Sequence, residues 1–292
     1  MENFFQQLVN GVSLGSIYAL IALGYTMVYG IVGLINFAHG DIYMMGAFVG
    51  YWVALYTDLG FIPALLIAMV TCAILGVLIE MIAYRPLRGS TRIAALITAI
   101  GVSLLLQYTM MYFVGPQTRP YPRVLENRIF NFGDVIISSQ QIIIVVISIV
   151  LMILLQFIVH KTKQGRAMRA VSFDQDTALM MGIDVNRTIS FTFLIGSALA
   201  GAAGVLVGIY YNSIDPLMGM MPGLKAFVAA VFGGIGSIPG AMIGGLSIGI
   251  IETMVAGYGN SMYRDAAVFA ILILVLLARP QGLLGKKKGD KA

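Results

Sequence analysis

Charged residues are scarce in this chain. Lys, Arg, Asp and Glu make up 11% of its 292 residues, and 59% are hydrophobic, whereas a soluble domain is about one quarter charged. With a mean hydropathy of +0.91, this excludes an ordinary soluble domain and indicates an all-α polytopic membrane protein. Cysteine occurs once, as Cys72 inside an apolar run. That excludes an intrachain disulfide and a cysteine-based metal site. Histidine occurs twice, at His39 and His160, and no His, Cys or carboxylate cluster has metal-ligand spacing. No Gly-Lys-Ser/Thr triplet is present, because the one Lys followed by Ser or Thr, Lys161, is preceded by His160. The chain therefore has no Walker A loop for nucleotide phosphates. No Lys or Arg precedes Arg85, so the first apolar run lacks the basic leader of a cleaved signal peptide and is expected to be retained.

The charge that is present is clustered. Arg85, Arg88 and Arg92 form one group. Lys161, Lys163, Arg166, Arg169 and Arg187 form a second, and Arg279 with Lys286, Lys287, Lys288 and Lys291 forms the third. Basic residues beside membrane spans mark the cytoplasmic side. The net charge of +5 thus reads as a topology signal, and no nucleic-acid partner is expected. Long apolar runs at 8–34, 61–84, 93–114, 141–159, 189–211 and 266–277 read as spans. Shorter runs occupy 42–56, 223–232 and 241–256. These make nine membrane elements in one domain, residues 1–292. Placing all three basic clusters inside puts the C-terminus in the cytoplasm and the N-terminus outside, provided the pair at 223–256 starts and ends on one side.

Two breaks interrupt the apolar pattern. Asn36-Phe37-Ala38-His39-Gly40-Asp41 precedes the short second run, and Gly233–Gly240, with Gly236 and Ser237, divides the pair at 223–256. Irregular backbone at membrane depth is tolerated only within protein or against a water-filled cavity, and broken helices gather at transport sites. Asn36, Phe37, His39, Asp41, Gly236, Ser237 and Glu252 are therefore candidates for a substrate pathway. The alternative for 223–256 is two tilted spans joined by an ordinary turn. For Glu252 the alternative is a paired or water-exposed carboxylate. Lys225 reads as a boundary residue able to snorkel, and Glu80 as a partner of Arg85. Gly196, Ala200, Gly204 and Gly208 recur every four residues, the spacing that lets helices approach closely in lipid, and mark a central packing helix.

The polar stretch 160–187 carries small and apolar residues at helical spacing. Gly182 is placed to end a short helix. It reads either as a docking surface for a soluble partner or as a solvated linker. Intramembrane charge is too sparse for the proton or ion relay of a typical ion-coupled carrier, although such a carrier, a channel, or a structural subunit without a passage remain the competing classes.

Three segments carry a family resemblance: 33–41 (GLINFAHGD), Gly165–Ala170 with Ala178–Ile183, and 232–241 (FGGIGSIPGA). In this order and spacing they resemble the permeases of bacterial branched-chain amino-acid ABC transporters of the LivH type. The resemblance covers essentially the whole chain, to the Arg-Pro-Gln-Gly-Leu ending at 279–283. It implies an inner-membrane import subunit that works with a second related permease, two cytoplasmic ATPase subunits and a periplasmic amino-acid binding protein. ATP would be bound by those partners, with no cofactor in this chain. It also implies that Gly165, Arg166, Ala167, Arg169, Ala170, Ala178, Leu179, Met181, Gly182 and Ile183 couple the chain to the ATPases.

Overall fold

The computed structural model describes residues 2–133 and 135–285. Lys286, Lys287, Lys288 and Lys291 of the basic tail lie outside the described residues. Nine helical elements occupy the bilayer-sized body. They are α1 (Glu2–Val32), α2 (His39–Tyr56), α3 (Phe61–Ile79), α4 (Arg92–Val114), α5 (Ser139–Lys161), α8 (Val185–Tyr211), α9 (Met220–Gly233), α10 (Ile238–Tyr258) and α11 (Arg264–Ala278). Two short helices, α6 (Lys163–Phe173) and α7 (Gln175–Met180), fill the central polar stretch. Seven of the nine are long and apolar enough to cross a membrane, while α9 has 14 residues.

Helix α8 is the hub, and its small residues explain why. Gly196 lies against Gly24 of α1, Gly201 against Cys72 of α3, and Gly204 against the backbone of Tyr43 and Ala47 of α2. Without side chains at these positions the helix axes close to backbone contact, which replaces the hydrophobic drive that lipid does not supply. A second small-residue seam joins α1 and α10 in antiparallel order. Gly15 meets Leu246 and Gly249, and Ala19 meets Gly245. By contrast α4, α5 and α11 are largely exposed along their apolar lengths, as lipid-facing helices are.

The breaks differ in extent from the sequence expectation. The non-helical residues of the first are 33–38, and α2 starts at His39, so His39 and Asp41 are helical and buried in its first turn. Gly33, at φ +71°, makes the turn in a region costly for other residues. The second break is 234–237, with Gly234 and Gly236 at positive φ. After it α10 is a full 21-residue span, not the short piece its composition suggests. The Ser237 side chain accepts from the Gly240 amide at 3.2 Å and Pro239 sits in the first turn, so the helix begins inside the glycine-rich stretch.

Arg85 and Arg88, the loop 161–187 and Arg279 lie at one end of the molecule. There α3 runs on through a π turn, Glu80–Tyr84, into a 3-10 turn, Arg85–Leu87. The fully buried Glu80 carboxylate pairs with Arg85 at 3.0 Å and with Arg88, and accepts from the Ser190 hydroxyl at 2.7 Å. This ties the end of α3 to the start of α8. At the opposite end, β1 (Arg119–Pro120) pairs antiparallel with β4 (Ser213–Ile214), and β2 (Ile129–Phe132) pairs with β3 (Val135–Ser138). A capping box between Ser138 and Gln141 then starts α5.

Candidate functional site

The two breaks, far apart in sequence, meet near the basic end. Gly30, just before the first break, faces Gly236 of the second. Between them lies a narrow space of about 10 Å³ lined by Tyr25, Tyr29, Ile35, Phe227, Ala230 and Ile235. It holds about one water at most, so the seam is shut to a solute. Aromatic rings pack around it, Tyr25 edge-on to both His39 and Phe227 and Phe37 tilted against Phe227. Tyr25 stands 4.7 Å from His39 and 6.0 Å from Phe227, and Phe37 lies 6.3 Å from Phe227, centroid to centroid. Deeper in the body the first turns of α2 and α9 touch, Gly40 against Gly219 and Gly223. An apolar, aromatic-lined constriction between two broken helices has the chemistry of a dewetting gate.

The pathway candidates from the sequence separate into four groups. Phe37, His39 and Gly236 are at this seam. Asn36 and Asp41 are turned toward other helices: the Tyr84 hydroxyl, in the π turn that continues α3, donates to Asn36 Oδ1 at 2.9 Å, and the Gln107 amide of α4 donates to Asp41 at 2.8 Å. Ser237 caps α10. Glu252 lies elsewhere, about 9 Å of helix from the non-basic end of α10, where it is buried and paired with Lys225 at 2.8 Å. Lys225 therefore does not snorkel; it is buried between Glu252 and Asp265. Tyr25 and Phe227 had no signal in the sequence, because an aromatic in an apolar run reads the same whether it lines a seam or faces lipid.

The second candidate region is the loop between α5 and α8. Thr162 and Asp174 cap α6 and α7 through their side chains. Gly182, at φ +80°, ends the segment. Met168, Val171 and Ala178 are buried and seat both helices on the body. Gly165 is buried too, with the Ile158 and Val159 carbonyls where a side chain would be. Arg169 bonds the Val159 carbonyl at the end of α5. Gln175 donates to the Ile31 carbonyl at 3.1 Å, joining α7 to α1 beside the first break. Ala167, Ala170 and Ile183 are half-buried, and Arg166, Leu179, Met181 and Gly182 are exposed. Phe173 and Met180 join them, so Phe173, Leu179, Met180 and Met181 present apolar side chains 63–85% exposed on a polar segment outside the spans. Beside them is a recess of about 490 Å³ between α7 and the start of α8. Exposed apolar patches rimmed by polar residues mark interaction sites.

The family described as "Branched-chain amino acid transport system / permease component" matches residues 7–277. The "High-affinity branched-chain amino acid transport system permease protein LivH" of Salmonella typhimurium is 44% identical, the alignment covering 99% of this chain and 97% of that protein. The corresponding permease protein BraD of Pseudomonas aeruginosa is 44% identical over 99% of this chain and 98% of its own length. A relative from Methanocaldococcus jannaschii, "Probable branched-chain amino acid transport permease protein LivH", is 30% identical over 92% of this chain and 89% of its own. The nine-element helical body and these matches over nearly the full length agree: the chain belongs to the family of branched-chain amino acid transport system permease components.

Proposed function

We propose that this chain is the membrane-spanning permease subunit of an ATP-binding-cassette importer in a bacterial inner membrane, passing branched-chain or similar amino acids inward. In this reading the basic end and the C-terminus are cytoplasmic and the N-terminus is periplasmic. One of two ATPase subunits docks on the loop α6–α7, a second related permease lies alongside, and a periplasmic binding protein delivers solute to the opposite end. The observation that carries the reading is the exposed apolar knob of α6–α7. A surface of Phe173, Leu179, Met180 and Met181 is costly in water unless a partner covers it. The loop is also mechanically placed. Its helices abut α5, Gln175 holds α1 next to the first break, and α8 follows directly. A push on the loop thus reaches the closed seam through backbone-linked helices. At the other end a broad recess of about 1030 Å³, lined by residues of 120–128 with Gln140 and Asn212, offers room for the binding protein to seat.

Substitution at the glycine that ends α7 tests this. No atom lies within 4 Å of where a side chain on Gly182 would start. Gly182→Arg costs about 1–2 kcal/mol locally for the left-handed backbone and projects a bulky cation from the docking face. Membrane insertion is expected to remain and ATP-driven uptake into vesicles to be lost; wild-type uptake by this variant would remove the docking assignment.

A further inference from the structure

A cluster of four ionisable side chains lies toward the non-basic end, away from the aromatic seam. Lys225 Nζ on α9 is 2.8 Å from Glu252 Oε1 on α10 and 2.6 Å from Asp265 Oδ1 on α11. Arg264 Nε is 3.4 Å from Asp265 and 3.8 Å from Glu252. The Tyr18 hydroxyl of α1 donates to Glu252 Oε2 at 2.8 Å. The Lys225 and Glu252 side chains are 4% and 3% exposed, but those of Asp265 and Arg264 are 32% and 47% exposed. The cluster is thus closed on one side and open on the other.

Burying such ions costs several kcal/mol each, and apolar residues hold helices together at least as well. Small-residue seams already do so elsewhere in this chain, so helix packing alone does not call for the charges. Charges retained within a membrane mark solute pathways, and Lys225, which links the two carboxylates, rides on α9, the shortened helix that follows the non-helical residues of 212–219. Two cations and two carboxylates sum to zero. A lone anion or cation would leave the buried cluster charged. A zwitterion would not, and its two groups match the two halves of the Lys225–Glu252 pair.

We propose that this cluster is a transient subsite for the α-carboxylate and α-ammonium of an amino acid in transit. The carboxylate takes a place on Lys225 and the ammonium takes Glu252, so that one ion pair becomes two and no net charge is buried. Arg264 and Asp265 form its open side. Because the resident pair must part first, binding is weak, as rapid passage requires. The inference rests on the permease reading above and adds to it the class of group recognised within the membrane.

The test uses the complete importer, with its ATPases, partner permease and binding protein, in proteoliposomes. The paired variant Lys225→Met/Glu252→Leu leaves no buried charge unpaired on α9 or α10. The amount of leucine moved per ATP hydrolysed is expected to fall about tenfold or more, the cost of one lost charge-assisted contact. A ratio within about twofold of wild type, small against that cost, would overturn the subsite. If the variant does not assemble, the wild-type complex without binding protein decides. Leucine should raise its melting temperature more than 4-methylpentanoate or 3-methylbutylamine, which each carry one of the two groups. Equal shifts, or no shift, would overturn the proposal. An assembly whose ATP hydrolysis ignores loaded binding protein would remove the permease reading and this inference with it.

Discussion

Gly204→Leu is expected to abolish the folded protein. Gly204 lies where α8 and α2 touch, with the Tyr43 carbonyl and the Ala47 amide in the space a Cβ would occupy. The neighbours are backbone of a buried helix, so they cannot rotate aside as a side chain would. Overpacking a close-packed interior costs about 1–3 kcal/mol even where side chains can adjust, and backbone contact on both sides puts this site above that range. The expected observation is loss of the monodisperse peak in detergent and degradation in the membrane. Gly101→Leu is the control. It lies on the exposed surface of α4 with nothing within 4 Å of its Cβ position, so it should behave as wild type. Equal behaviour of the two variants would show that the α2–α8 contact is not what closes the fold.

Met180→Asp/Met181→Asp is expected to leave the fold intact and separate the chain from its ATPases. Both side chains are about four-fifths exposed, so the substitutions remove little intramolecular packing. They place two carboxylates where an apolar contact is proposed. Losing a hot-spot contact costs about 2–4 kcal/mol, a loss of about 30-fold to 1,000-fold in affinity. ATPase that co-purifies with wild type should be missing from the variant eluate, while the variant itself is recovered at normal yield. Undiminished co-purification would place the ATPase contact elsewhere.

The features legible in the sequence were those with a composition signature. Spans, basic clusters and the Gly196–Gly208 ladder stand out because lipid, charge and close approach each restrict residue choice. Gly182 as a helix end follows from the same local rules and matches the end of α7. Composition marks both breaks but places the first about three residues late, since His39 and Asp41 are polar and yet helical. Their burial depends on Tyr25 and Gln107, partners on other helices that no local pattern reveals. Lys225 was misread for the same reason: its counter-charges come from α10 and α11. In the loop, spacing could not separate Ala178, which seats α7, from Leu179 and Met180, which face outward, because a six-residue helix is too short for its pattern to fix a face.

The claim that α6–α7 is the cytoplasmic docking surface is tested most directly with Met180→Cys. The native cysteine, Cys72, is buried and should stay silent to a membrane-impermeant maleimide, so labelling reports the new thiol. Labelling from the cytoplasmic side only, suppressed when the ATPases are bound, together with cross-linking to an ATPase subunit through a short bifunctional maleimide, is the expected result. Labelling from the periplasmic side, or full labelling of the assembled complex without any cross-link, would contradict the account.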